Sequence, residues 1–260
     1  MTVNPAKTKA MDLTLPFDRT RRRRIYLMRH AEAEYVRPDG TRAPDSRIVP
    51  LTERGRNEAA AMRDLLADVP FDRAICSGMP RTRETAMIVL GPRKLDLGII
   101  SALEEIHGGD PIARAKLSPV DYAYAMFQAG EPGACYAAGE PFQAFVDRVI
   151  PAFTTIANDP TWSTLLLVCH GGVNRAILTD ITSASLRAFG AFEQDSACLN
   201  LIDVDTCLDT GAVLRRVLRG VNITAEDPFK KTRRLLTMEG MTKRFQDAGG
   251  FQHPGKTSAP

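Results

Sequence analysis

The 260 residues carry 34 Lys/Arg against 31 Asp/Glu, with 44% hydrophobic and 25% charged positions, the composition of an ordinary globular chain large enough to bury a core without staples. No apolar run reaches the roughly 18 residues of a membrane span, and the first twenty residues lack the continuous apolar segment of a secretory signal. Five cysteines (Cys76, Cys135, Cys169, Cys198 and Cys207) are odd in number and form no C-x-x-C pair, so a reduced, cytoplasmic protein is expected rather than a disulfide framework. The net +3 is uneven: residues 1–24 carry +5, residues 220–260 carry +3 and the body between them about −5.

Residues 1–20, punctuated by Pro5 and Pro16, read as a mobile tail. Arg21-Arg22-Arg23-Arg24 could touch nucleic acid or an acidic membrane surface. With no aromatics interleaved, it reads instead as a solvated basic segment ahead of the first strand, Ile25–Arg29. A polar loop follows, rich in Pro, Gly and Asp (37–50). Thr52 is a suitable N-cap for a helix over 53–67, with Glu53 in its first turn and Ala59, Met62, Leu65 and Leu66 on its apolar face. A short strand over 73–76 leads through a Ser77-Gly78 turn to a helix over 81–90.

Residues 101–140 hold five glycines and three prolines and read as short helices and loops forming a cap beside the site. An amphipathic helix over 142–156 ends at Asn158-Asp159-Pro160. The apolar run Leu165–Cys169 is a second strand ending in a histidine, His170, and Gly171-Gly172 opens a helix to about residue 178. Strand-like runs over 198–204 and 212–217 close the body. Alternating strands and helices predict an α/β fold: a three-layer α/β/α sandwich with a mostly parallel central sheet and a small irregular cap. The division expected is a tail (1–20), one domain (21–219) and a basic extension (220–260). That extension has three readings: it covers the site, joins a homodimer or stays mobile.

Both histidine-terminated strands deliver their imidazole to a carboxyl end, where open α/β sheets place ligands. Arg29, directly before His30, offers a planar fork of donors suited to phosphate, and a neutral imidazole can attack phosphorus. His170 precedes a helix start whose backbone N–H groups, Gly171 included, favour an anion. Arg81 could add another cationic fork. His107, close to Glu104-Glu105, either lines the pocket or is a solvent-exposed loop histidine, the second being favoured, and His253 sits in the Gly/Pro-rich end of the chain. No His/Asp/Glu cluster has metal-ligand spacing, so neither metal nor cofactor is expected.

Four strings occur in order: Leu27-Met28-Arg29-His30-Ala31-Glu32; Leu51-Thr52-Glu53-Arg54-Gly55; Ser77-Gly78-Met79-Pro80-Arg81 with Thr85-Ala86; and Val168-Cys169-His170-Gly171-Gly172. Together they resemble the histidine phosphatase superfamily, also called phosphoglycerate-mutase-like, over about residues 25–218. The resemblance implies that His30 is the phosphorylated nucleophile, that Arg29, Arg81 and His170 complete the phosphoryl pocket, and that Glu105 of Leu103-Glu104-Glu105 is the proton donor, with Glu104 as the alternative. The chain departs from the family pattern at Ala31, where glycine is common, and at Gly78, where aspartate is usual. It departs again at Gly108-Gly109-Asp110 after the acid, and at Val36, where mutases carry asparagine. That last difference, and only about 35 residues between Glu105 and Gly139-Glu140, favour hydrolysis of a small phosphorylated metabolite over a phosphomutase.

Two rival readings stay open. Cys169-His170-Gly171-Gly172-Val173-Asn174-Arg175 fits C-x-x-G-x-x-R, the loop of cysteine-dependent phosphatases, with Cys169 as nucleophile and Arg175 as anion fork. A non-catalytic protein that binds phosphorylated ligands is the other. Tyr122, Tyr124, Phe127 and Tyr136 in the cap are either contacts for a partly apolar leaving group or a small local core.

Overall fold

In the computed structural model the described residues are 15, 19–37, 41, 43–232 and 234–249. Most of the expected tail, and His253, lie outside them. Six strands form one sheet in the order β3-β2-β4-β1-β5-β6: β1 (Thr20–Arg29), β2 (Arg73–Cys76), β3 (Leu97–Ile99), β4 (Thr164–Cys169), β5 (Leu199–Cys207) and β6 (Val213–Ile223). The first four are parallel to one another, whereas β5 pairs antiparallel with both β1 and β6. The sheet is therefore mixed and mostly parallel.

Strand periodicity sorts the apolar run of β4 onto two cores. Leu165, Leu167 and Cys169 pack with Ile25, Leu27 and the helices α5 (Phe142–Asn158) and α6 (Gly171–Ile181). Leu166 and Val168 pack with Met28, Ala74 and the helices α1 (Glu53–Leu65) and α2 (Pro80–Leu90). These are the three expected layers. Thr52 caps α1 as its chemistry predicts, its hydroxyl accepting from Gly55 N–H at 2.9 Å.

The cap consists of α3 (Pro111–Ala115), α4 (Pro119–Ala123) and short 3₁₀ turns over Ala125–Gln128 and Tyr136–Ala138. Asp110 and Ser118 cap its two helices, each with a proline following. Within 220–260 the chain forms a further helix, α7 (Thr237–Asp247), which packs on α4. The strip of β6 likewise continues past 219, to Ile223.

The arginine run corrects the sequence reading. It is not a solvated segment ahead of a strand but the first half of β1, paired with β5. Arg22 and Arg24 each grip a buried carboxylate with two bonds, to Asp205 at 2.7 and 2.9 Å and to Asp203 at 2.6 and 3.0 Å. Arg23 points to the other face and is 1% exposed. It stacks 4.2 Å from Trp162 and donates to the backbone carbonyls of Ala157 and Asp159 at the end of α5, and to Thr206 Oγ1. The charges of Arg22 and Arg24 are thus paired, and that of Arg23 buried, within the fold. Among the described residues, no helix is long and apolar enough to cross a membrane.

Candidate active site

The register of β1 against β4 pairs Arg29 with Cys169, so His30 and His170 leave adjacent parallel strands at the same level. His30 N–H bonds Cys169 O at 2.9 Å, and the imidazole centroids lie 5.2 Å apart. Both rings are buried. His30 Nδ1 lies 2.7 Å from the Ala31 carbonyl, which can only accept; Nδ1 therefore carries the proton and Nε2 the lone pair. Burial, then the charges of Arg81 and Arg29, hold the His30 imidazole well below its ordinary pKa. Burial, Arg81, His30 and Arg29 do the same for His170. Both are neutral at pH 7, the state a nitrogen nucleophile requires.

Arg29, at the end of β1, donates to Gln194 O at 2.7 Å. Arg81, in the first turn of α2, donates to Ser46 O at 3.0 Å and lies over the Tyr35 ring. The turn before α2 requires Gly78 at φ +94°, where a Cβ would also meet Ile99 Cγ2 at 2.7 Å; this backbone favours glycine at the position where aspartate is usual. Ser77 Oγ sits 2.8 Å from His170 Nε2. Thr85 ties the two loops together, accepting from Ala31 N–H at 3.0 Å and donating to Arg81 O at 2.7 Å.

The two glutamates separate cleanly. Glu105 reaches the start of α6, where Gly172 N–H donates to both carboxylate oxygens at 3.1 Å, and Ile106 N–H adds 3.0 Å to Oε1. Glu104 instead pairs with Arg47, whose guanidinium also donates to His107 Nε2 at 2.7 Å. His107 lines the cavity with its ring about half exposed.

Sequence reasoning had connected Arg175 only with the cysteine reading. It lies four residues after Gly171, on the same face of α6, and lines the same cavity, with Glu193 Oε2 2.8 Å from Nη2. That spacing was the available signal. Cys169 is fully buried among the aliphatic residues of one core, and burial pushes its thiol well above the ordinary value. A thiolate is disfavoured there.

The cavity measures about 500 Å³. Arg29, Arg81, Arg175, Glu105, Gly171 and Gly172 line one part of it. The Nε atoms of the three arginines and His170 Nδ1 are buried without a partner, so unspent donors gather where a phosphoryl group's oxygens would be held. Of the four cap aromatics, Tyr122 and Tyr136 line the cavity. Tyr124 and Phe127 are nearly half exposed, Tyr124 bonding Glu239. Among the described residues, no three His, Cys, Asp or Glu side chains gather as a metal-ligand group.

Residues 25–215 match the family model described as the histidine phosphatase superfamily (branch 1). The chain is 31% identical over 186 residues to the adenosylcobalamin/alpha-ribazole phosphatase of Salmonella typhimurium, which spans 70% of this chain and 90% of that protein. A protein of the same name from Escherichia coli is 31% identical over 201 residues, 76% of this chain and 98% of that protein. The crystal structure of the alpha-ribazole phosphatase from Shigella flexneri superposes with a TM-score of 0.61 at 28% identity, covering 76% of this chain and 96% of the other.

Proposed function

The chain belongs to the histidine phosphatase superfamily, and from that premise we propose that it hydrolyses small phosphomonoesters through a phosphohistidine on His30. One observation carries the reading: a neutral His30, its Nε2 lone pair met only by the Tyr35 hydroxyl at 3.5 Å, beside a group of buried arginine and histidine nitrogens that have no partner.

In the first step His30 Nε2 bonds to phosphorus and the ester P–O bond breaks. Arg29, Arg81 and Arg175 neutralise the phosphoryl oxygens, and with Ser77 donating to Nε2, His170 offers Nδ1–H to one of them. Glu105, protonated, gives its proton to the departing alkoxide. As a carboxylate it then takes a proton from water, whose oxygen displaces His30 from phosphorus. Glu105 suits this role because it lines the cavity, whereas Glu104 is paired with Arg47. The short cap supports transfer to water over a mutase, and the names of the relatives make an alpha-ribazole phosphate the first ester to assay.

The test is hydrolysis of p-nitrophenyl phosphate in EDTA by the full chain. His30→Ala is expected to lose turnover by more than about 10³-fold, while Cys169→Ala keeps it. Loss with Cys169→Ala alone would hand the chemistry to the thiol. A wild type that binds phosphate but turns over neither p-nitrophenyl phosphate nor an alpha-ribazole phosphate would point to a phospho-ligand binding protein.

A further inference from the structure

We propose that α7, which lies beyond the residues matching the family model, is the wall that selects the leaving group, favouring phosphomonoesters whose alcohol carries a flat apolar moiety. The inference rests on the hydrolase reading above.

Met238, Met241 and Phe245 recur at positions i, i+3 and i+7 of α7, so one face of the helix is apolar. All three are less than 9% exposed, and all three line the same 500 Å³ cavity as the arginines. Met126, Tyr122 and Tyr136 of the cap continue that lining, with the rings of Tyr122 and Phe245 5.7 Å apart. One cavity therefore has a cationic part, which fixes the phosphate, and a part walled by methionine and aromatic side chains. An ester held by its phosphate must place its alcohol among the remaining walls. Thioether and ring surfaces suit a flat apolar group, and Met adapts its shape to one; a small polar alcohol leaves that surface in contact with water.

The helix is anchored to the catalytic framework rather than resting loosely on it. Thr237 N–H donates to Glu193 Oε1 at 2.8 Å, and Arg175 uses the other oxygen of that carboxylate. Thr237 Oγ1 and Arg29 Nη1 share the carbonyl of Gln194, at 2.9 and 2.7 Å. In the first turn Glu239 also accepts from Tyr124 of the cap at 2.8 Å, and towards the other end Arg244 reaches Glu32, two residues past His30, at 3.0 Å. The apolar face is thus held at a set distance from the phosphoryl pocket by acceptors that two of its arginines also use.

The test compares kcat/KM for 2-phenylethyl phosphate and ethyl phosphate, whose leaving alkoxides are chemically alike, so that the ratio reports the wall and not the chemistry. Wild type is expected to prefer the phenylethyl ester by about tenfold or more. Met241→Gln, close to isosteric and equally suited to a helix, should lose most of that preference. Met241→Leu should hold it, as should Lys243→Ala on the outer face. No preference in wild type, or a preference indifferent to Met241→Gln, overturns the inference. If neither ester turns over, the hydrolase reading is what fails. The wall is then judged from calorimetric binding of phenylethylphosphonate against ethylphosphonate, with the same pattern across the variants expected and its absence refuting the proposal.

Discussion

Gly172→Ala separates catalysis from stability at one atom. A Cβ on Gly172 would lie 2.4 Å from Glu105 Oε1 and 3.3 Å from its carboxyl carbon. Ordinary carbon contacts begin near 3.5 Å, so the carboxylate must retreat by about 1 Å and lengthen both 3.1 Å bonds from Gly172 N–H. A displacement of that size costs about 10²-fold in rate. The expected kcat for ethyl phosphate is therefore about 100-fold below wild type, with a smaller loss for p-nitrophenyl phosphate, whose leaving group needs less help from a proton. Stability should move little: alanine is better than glycine in a helix by up to about 1 kcal/mol, offset by the weakened charge-assisted bond. Gly171→Ala is the control. Its Cβ would meet Arg175 Nη1, the far end of a flexible side chain, at 3.1 Å and Arg29 Nε only at an ordinary contact distance of 3.5 Å, so a loss below about tenfold is expected. Steady-state kinetics and thermal unfolding on the three proteins decide it. Turnover of ethyl phosphate by Gly172→Ala within about threefold of wild type would refute the placement of Glu105 as the acid.

Two further outcomes follow from buried cations and rings. His30 and His170 both titrate well below 6.5 in the fold, so the unfolded chain binds more protons just below that pH. Stability should accordingly fall as pH drops below about 6.5, by up to about 1.4 kcal/mol per pH unit for each histidine, with no slope from either above it; unfolding midpoints from pH 7.5 to pH 5.5 should show a shallower fall for His170→Asn than for wild type, and equal slopes would contradict this. Arg23→Ala should destabilise by about 3 kcal/mol, since it strands the carbonyls of Ala157 and Asp159 in a closed site and unpacks Trp162. The exposed pair Arg19–Asp209 should show no measurable effect when Arg19 is replaced, and denaturant midpoints for the two variants compare them directly.

The histidine strands, the helix starts and the N-cap at Thr52 were legible because each is written in a few adjacent residues: an apolar run, then a chemical group, then glycines or a cap. The arginines of β1 hid a strand because its polarity is answered by Asp203 and Asp205, about 180 residues away, which no local window contains. β3 has three residues, one of them glycine, too few to display a period. α7 carries its apolar stripe among polar residues and reads as tail until its inner face meets the cap. Arg175 was visible only through C-x-x-G-x-x-R, which describes a loop without saying which side chain faces the cavity. Which of the adjacent Glu104 and Glu105 side chains meets Gly172 depends on backbone direction in the cap, which the two identical letters do not carry.

The pairing of β1 with β4 also works as a gauge. Parallel neighbours lie about 4.8 Å apart in the hydrogen-bonding direction, and the two imidazoles that terminate them are 5.2 Å apart. Their separation is inherited from the ladder in the middle of the sheet, not from the cap or from α7. The innermost ladder of a domain opens only with the whole molecule, whereas peripheral helices open at smaller cost. On the proposed mechanism, warming should blunt the choice among alcohols before phosphoryl transfer is lost, and sequence can drift at the periphery without resetting the spacing of the two imidazoles.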